Sequence, residues 1–462
     1  MQAHFTATLT SGDVKRHIPH PFTVPAACSR LTLRLHYAPR VAGGITNLLT
    51  LTLFDPNGFR GAGHRGGDTH EVELTPTAAT RGYLIGALPP GEWTVQVDTH
   101  MVLPGEPVRY MLEVKAEADA TGAATATSRP VPDFSRVLNP HRGWYRGDLH
   151  CHTLHSDASW TTQELVAEAR RQGFDFIALT DHNTVSPLAE MADLAGDGLL
   201  TMGGQELTTF WGHAVCLGAY EWLDWRVDRD GAGMAAIAEH LYAEDKLYII
   251  AHPYAIGDPY CTGCRWLYTS MMPGTARLVE IWNGPWFGGH PLEHNQNEDG
   301  LALYYRWLNE GCKLVATAGS DAHGPKGYLG GVGCNVVYAE ELSTKGILQA
   351  VTQGHLYLSR GPVLQLHAQS AQGPAVMMGE TLMTQGDDVT VTTDWSNVPD
   401  TATLRLVVNG AVQAQGTVTT TGAQSWRLPA YGPRWCTVEL RGDDGGMLAI
   451  TNPIFLKSDA GG

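Results

Sequence analysis

The stretch Gly147-Asp-Leu-His-Cys-His-Thr-Leu-His-Ser-Asp157 sets His150 and His152 two residues apart and follows them with Asp157. In extended backbone, residues i and i+2 point to the same side, so the two imidazoles face one place. Imidazole is the commonest metal-ligating side chain, and a nearby carboxylate completes a mixed nitrogen–oxygen set. A His-rich surface loop would look the same in isolation. Three further clusters of the same kind recur, each at the end of an apolar run: Thr180-Asp181-His182, Ala251-His252-Pro253 and Gly319-Ser320-Asp321-Ala322-His323. Glu206 ends another such run, and His213 follows seven residues later. His213 is also open to reading as a packed core histidine. Imidazole with carboxylate suits Zn, Mn or Fe, whereas all-oxygen sets suit Mg or Ca. The set His150, His152, Asp157, His182, Glu206, His213, His252, Asp321 and His323 exceeds what one ion needs. Two or three divalent ions sharing a bridging carboxylate are therefore expected, the arrangement with which two-metal sites clamp attacking and leaving oxygens.

The elements that must carry these groups are strands alternating with helices from residue 140 to 362. Thr161 and Glu164 have capping-box spacing, and Leu165, Val166 and Ala169 share the face of a helix that stops at Gly173. Phe174–Thr180 then reads as a short apolar strand delivering Asp181 and His182. Leu247–Ala251 delivers His252, Leu278–Asn283 ends in Asn283, and a helix near Leu301–Glu310 feeds Leu314–Ala318 ahead of Asp321 and His323. Polar clusters at the C-terminal ends of many strands are the sequence pattern of an α/β barrel face. A doubly wound open sheet, which gathers ligands at one crevice, is the alternative. The barrel is the expected architecture.

The flanks read differently. Residues 1–115 are short alternating strands such as Leu31–Tyr37 and Leu48–Phe54, the latter running into the turn Asp55-Pro-Asn-Gly58. A β-sandwich or jelly roll with no convergent polar cluster is expected there. Residues 116–139 are a small, polar, then Pro-containing linker, and 363–462 a second β-sandwich with a hairpin at Asn409-Gly410. A formal net charge of −16 argues against nucleic acid as a partner. No run approaches a membrane span and no secretory leader is evident, so the expected compartment is the cytoplasm. Eight cysteines are too sparse for a disulfide scaffold, and Cys261-Thr-Gly-Cys264 reads as two reduced loop thiols. The composition leaves room for an oligomer.

Asp148-Leu-His-Cys-His-Thr153, Leu179-Thr-Asp-His182, Ala251-His-Pro253 and Gly319-Ser-Asp-Ala-His323 together resemble the PHP (polymerase and histidinol phosphatase) superfamily of metal-dependent phosphoesterases. The resemblance implies a distorted seven-stranded, TIM-like (βα) barrel over residues 140–362, flanked by the two β-sandwiches. Trp282-Asn283-Gly284, the helix stop at Gly311 and Leu356–Pro362 look more like its carbaryl-hydrolase-like (CehA/McbA) branch. It further implies one ion held by His150, His152, Glu206 and Asp321, a second by Glu206, His213 and His252, and a third by Asp157, His182 and His323. Asp157 stands where several members carry His, a departure that bears on the third ion and favours manganese over zinc there. The implied chemistry is attack by a metal-bridging hydroxide on the phosphate of a small-molecule ester, with Asp321 handling a proton. Carbamate or carboxylic ester hydrolysis by the same centre is the alternative, and a non-catalytic, metal-stabilised binding module the reading from another class. Asn283, His294, Lys326 and Arg360 are the candidate substrate contacts, with Arg265 and His290 behind them. Each is equally readable as a surface residue.

Overall fold

The structure is a computed structural model that describes residues 1–118, 128–288, 295–371, 373–384, 386–399 and 401–458. Part of the 116–139 linker, together with His290 and His294, lies outside those residues.

Period-two patterning builds the N-terminal unit as two four-stranded antiparallel sheets. One orders Gln2–Leu9, Val108–Ala118, Cys28–Ala38 and Thr69–Leu74; the other His17–Val24, Gly91–Met101, Leu48–Asp55 and Gly58–Gly63. Leu31, Leu33, Leu35 and Tyr37 point inward against Leu49, Leu51, Leu53, Val95 and Val97. The opposite face of the second sheet is polar but not solvated. Thr50, Thr52, Gln96, Asp98 and His100 are all buried, because that face packs on the central unit. His17 stacks on Phe210 with ring centroids 4.7 Å apart, and Phe59 on Trp222 at 4.3 Å. Asp98 is satisfied by His17 Nδ1 at 2.7 Å, Gln96 Nε2 at 2.6 Å and the Thr52 hydroxyl at 2.7 Å. The expectation that this unit lacks a convergent polar cluster is therefore wrong. An alternating strand looks the same in sequence whether its polar face meets water or another domain.

The central sheet takes its strands in chain order: Gly143–Asp148, Phe176–Leu179, Leu200–Thr208, His213–Leu217, Leu247–Ile250, Leu278–Asn283 and Val315–Gly319. All run the same way except His213–Leu217, which pairs antiparallel with both neighbours. Helices Thr162–Arg171, Leu188–Asp193, Ala232–Ala243 and Gln296–Asn309 fill four crossovers. The Leu200–Thr208 to His213–Leu217 connection is a tight reversal, and the one before Leu278 carries only a 3₁₀ turn, Thr269–Met271. A regular TIM-type alternation is thus not what the chain builds; it is a strand-rich, mixed α/β sheet. Thr161 caps its helix as the spacing requires, its hydroxyl accepting from Glu164 N at 3.2 Å while Glu164 Oε2 accepts from Thr161 N at 2.7 Å.

On the other side of Gly143–Asp148 the sheet continues antiparallel through Cys334–Ala339 and Leu356–Ser359 into Met447–Thr451, Trp435–Arg441, Ala402–Val408 and Ala411–Val418. One ladder therefore runs from the central unit into the C-terminal residues. The hairpin at Asn409-Gly410 is present, both residues having positive φ. At the far end, the free edge of Val315–Gly319 has no partner strand among the described residues. Two asparagine amides stand in for one. Asn335 Oδ1 accepts from Ala318 N at 3.0 Å and its Nδ2 donates to Ala318 O at 2.7 Å. Asn452 does the same for Ala316, at 2.8 and 3.0 Å. Just beyond, Asp321 N donates to His150 O and His152 N to Ala322 O, so the C-terminal rims of the first and last strands are joined.

Replacing Asn335 by Leu should leave a buried N–H and C=O of Ala318 unpaired. The expected cost is roughly 2–4 kcal/mol of unfolding free energy, read from denaturant titration.

Candidate metal centre

The joined rims bring the nine sequence-derived residues to one place. Their ligand atoms fall into three groups, each with all atoms within 4.8 Å of one another: His152, Asp157, His182 and His323; His150, His152, Glu206 and Asp321; and Glu206, His213 and His252. Glu206 lies near the end of the Leu200–Thr208 strand, which is buried along its whole length, and its carboxylate belongs to two of the groups. Oε1 lies 3.0 Å from His213 Nδ1 and 3.2 Å from His252 Nε2. Oε2 lies 2.9 Å from His182 Nδ1, 3.3 Å from His150 Nε2 and 3.4 Å from His152 Nε2. Asp321 and His252 hold φ of +51° and +28°, a region unfavourable for residues with a Cβ. The strain is tolerated where the chain turns off a strand end and swings a side chain over the rim.

Most of the imidazoles have one nitrogen fixed by an acceptor, which leaves the other lone pair facing inward. His150 Nδ1 donates to Glu280 Oε2 at 3.0 Å, His252 Nδ1 to Cys264 O at 3.1 Å, and His213 Nε2 to Thr262 O at 3.3 Å. His323 Nδ1 donates to the Asp321 carbonyl at 2.8 Å, turning Nε2 to Asp157 Oδ1 at 3.1 Å. Burial alone would raise Glu206 and Asp321, yet the surrounding imidazoles hold both carboxyls well below their ordinary range. His150 and His182 are correspondingly lifted: burial lowers them, but facing carboxylates outweigh it. Burial and the charges of His182 and His323 push His152 down to about 3.

The residues fit divalent ions on a direct observation. His150 Nε2, both ring nitrogens of His152, Glu206 Oε2 and Asp321 Oδ1 are buried without any hydrogen bond of acceptable geometry. They crowd one another at 2.9–3.5 Å without aiming protons at one another. Atoms that converge on shared points rather than on each other are a ligand arrangement.

The remaining expectations divide. Asp148 and Asp181 bond to backbone and hydroxyl groups rather than to the ligand rings. Asp148 accepts from Ser320 N at 3.0 Å and from the Tyr328 hydroxyl at 2.7 Å, and Asp181 accepts from Thr153 N at 2.8 Å. They fix the rim and the 153–157 loop. Asn283 donates to Glu280 Oε1 at 3.2 Å and Asp321 Oδ2 at 3.3 Å, so its amide is engaged by the centre. Lys326 is exposed on a 3₁₀ turn, and Arg360 lies over Gly331; neither lines the cavity above the ions' place. Arg265 lies over the Tyr254 ring. Cys261 and Cys264 are joined in a disulfide, where the sequence pointed to two thiols. Sequence reasoning missed Glu280, although a carboxylate inside the apolar run Leu278-Val-Glu-Ile-Trp282 signals a buried partner. Room for it comes from Gly319, where a Cβ would stand 2.1 Å from Glu280 Oε1 and 2.5 Å from His150 Cβ. It also missed the cavity wall. The cavity, about 360 Å³, is lined by ligand residues, by Pro259–Thr262 and Cys264, and by Thr46, Leu48, His64, Arg65, Gly66 and Met101 of the N-terminal unit.

Part of the chain is similar in sequence to known proteins. Residues 148–223 match the PHP domain. The PHP segment carries His150, His152, Asp157, His182, Glu206 and His213, while His252, Asp321 and His323 lie beyond it. A 65-residue stretch is 38% identical to a 5'-3' exoribonuclease of Haemophilus influenzae, covering 14% of this chain and 24% of that protein. The chain thus spans about a quarter of that relative's length. A two-domain protein from Bacteroides vulgatus containing a predicted PHP-like metal-dependent phosphoesterase is 17% identical, covering 71% of this chain and 100% of that one with a TM-score of 0.38. An amidohydrolase from Chromobacterium violaceum with bound sulfate is 19% identical over 40% of this chain and 89% of its own, with a TM-score of 0.27.

Glu280→Gln should weaken metal binding about 10–100-fold, because it removes the charge that holds the His150 ring. Chelator competition with elemental analysis reads the change.

Proposed function

We propose that the protein is a divalent-metal-dependent hydrolase of PHP type, a phosphoesterase acting on a small-molecule ester. The observation that carries the reading is the position of Glu206: one buried carboxylate whose two oxygens face separate imidazole sets. We read the rim-joined seven-stranded sheet as the distorted (βα) barrel of that family. His150, His152, Glu206 and Asp321 would hold one ion, Glu206, His213 and His252 a second, and Asp157, His182 and His323 a third. Zn, Mn and Fe all suit these donors. Such ions, when bound, acidify a water to supply a nucleophile at neutral pH and neutralise charge that develops on the phosphoryl oxygens.

The chain's own groups do the rest. Asp321 is the carboxylate of the central group that opens to the cavity, its side chain 24% exposed against 1% for Glu206. We assign to it the proton that the attacking water gives up and the leaving group takes. Glu280 and the carbonyls of Thr262 and Cys264 hold ligand rings in orientation, so little reorganisation is needed as charge develops. Thr46, Leu48, His64, Arg65, Gly66 and Met101 of the N-terminal unit roof part of the cavity. That roof, with the net charge of −16, argues for a small substrate rather than a nucleic acid.

One observation favours a second reading. Leu48, Met101 and Pro259 give the cavity an apolar side fitted to an aromatic leaving group, as in a carbamate or carboxylic ester of the carbaryl-hydrolase-like kind.

Protein reconstituted with Mn or Zn should hold at least two ions per chain and hydrolyse phosphomonoesters in a panel that includes phosphodiesters and carbamate esters. One ion or fewer by elemental analysis would defeat the centre; activity confined to carbamates would select the second reading. Glu206→Gln should lower both ion content and kcat, since a neutral amide has one good ligating oxygen where two are used. A glutamine variant with full ion content and unchanged kcat would remove Glu206 from the site.

A further inference from the structure

The cavity has a wall that the metal-bearing strands do not supply. The His64 ring lies 4.7 Å from the His182 ring, which places the 63–66 loop of the N-terminal unit directly against the centre. Arg65, the next residue, donates through Nη2 to Arg81 O at 2.6 Å and to His155 O at 3.4 Å, the latter two residues before Asp157. Among the described residues that line the cavity, Arg65 is the one Lys or Arg. No carboxylate among the described residues forms an ion pair with it, and its Nε is buried without a hydrogen bond. His64 Nδ1 is likewise buried and unpartnered. Removing a guanidinium from water without an anion is costly, so a half-buried, unpaired one beside a cavity marks where an anion goes. With Nη2 given to the two carbonyls, Nη1 is left to donate a charge-assisted hydrogen bond to a phosphate oxygen.

We propose that Arg65, with His64 beside it, is the substrate-binding cation of this site, pairing with the non-bridging oxygens of an anionic ester. The preferred substrate class is then a phosphomonoester, whose two negative charges use the guanidinium, rather than a neutral ester. The N-terminal unit supplies recognition and the central unit the ions. The proposal rests on the phosphoesterase reading above. It replaces Lys326 and Arg360, which stand away from the cavity.

The test uses the full chain reconstituted with Mn, and compares wild type with Arg65→Met and Arg65→Lys. Inorganic phosphate affinity is measured by calorimetry, and kcat and KM with an aryl phosphate and with the neutral aryl acetate. Ion content and melting temperature are followed in each variant. The expected result for Arg65→Met is weaker phosphate binding and a higher KM for the aryl phosphate, each about ten- to a hundred-fold. Ion content and acetate turnover stay at wild-type levels, and Arg65→Lys recovers part of the loss. Unchanged phosphate affinity overturns the proposal, as does equal loss on both esters or loss of ions, which mark a structural role. If the methionine variant does not fold, Arg65→Gln decides by the same readouts, because it keeps donors for the two carbonyls and removes the charge. Wild-type protein that takes up no ion defeats the phosphoesterase reading. Wild-type protein that takes up ions and binds phosphate regardless of residue 65 defeats this proposal alone.

Discussion

Everything at this site depends on burying carboxylates where no water can solvate them. Glu206 is fully buried, and a charge so placed costs several kcal/mol unless opposite charge surrounds it. The chain meets that constraint by spreading the opposite charge over rings from several strand ends. No single element could do it, since one strand end presents at most two side chains to one side. The sheet must curl until its first and last rims touch. That requirement explains the isolated pairing of Cys151 with Ala322, and the position of Asp148, whose carboxylate holds the Ser320 backbone in register with it. Glycine at 319 follows from the same demand, because a side chain there would displace Glu280.

Much of this was legible in the chain. The His-x-His pair, the strand-terminal Asp-His and His-Pro clusters and Glu206 announce themselves by type and by position after apolar runs. The capping box at Thr161 and the hairpin at Asn409-Gly410 are local, and local signals survive in sequence. What did not survive was anything needing a partner from elsewhere. Arg65 and His64 sit in a glycine-flanked loop whose sequence says only that the chain turns. Lys326 and Arg360 looked apt as cations for an anionic substrate, yet neither lines the cavity. The buried polar face of Thr50, Thr52, Asp98 and His100 reads as a solvated strand until the second domain is placed against it.

The domain description is similarly limited by local reading. Composition marks the return to alternating strands after residue 362, and that change is real. The hydrogen-bond ladder nonetheless passes without interruption from Leu356–Ser359 to Met447–Thr451. Strand periodicity reports which face of an element is buried, and says nothing about which neighbour it lies beside.

The two asparagines laid along the edge of Val315–Gly319 have a consequence for the order in which the molecule is made. Asn452 follows Ala316 by 136 residues, so a chain leaving the ribosome presents the strand that positions Asp321 and His323 with part of its edge bare. An open edge of this kind is a template for pairing with another chain. The interval ends only when the C-terminal strands fold back and lay an amide along it. Slow translation, or a truncated message, would lengthen the interval and expose the nascent chain to aggregation at the part of the sheet that bears the chemistry.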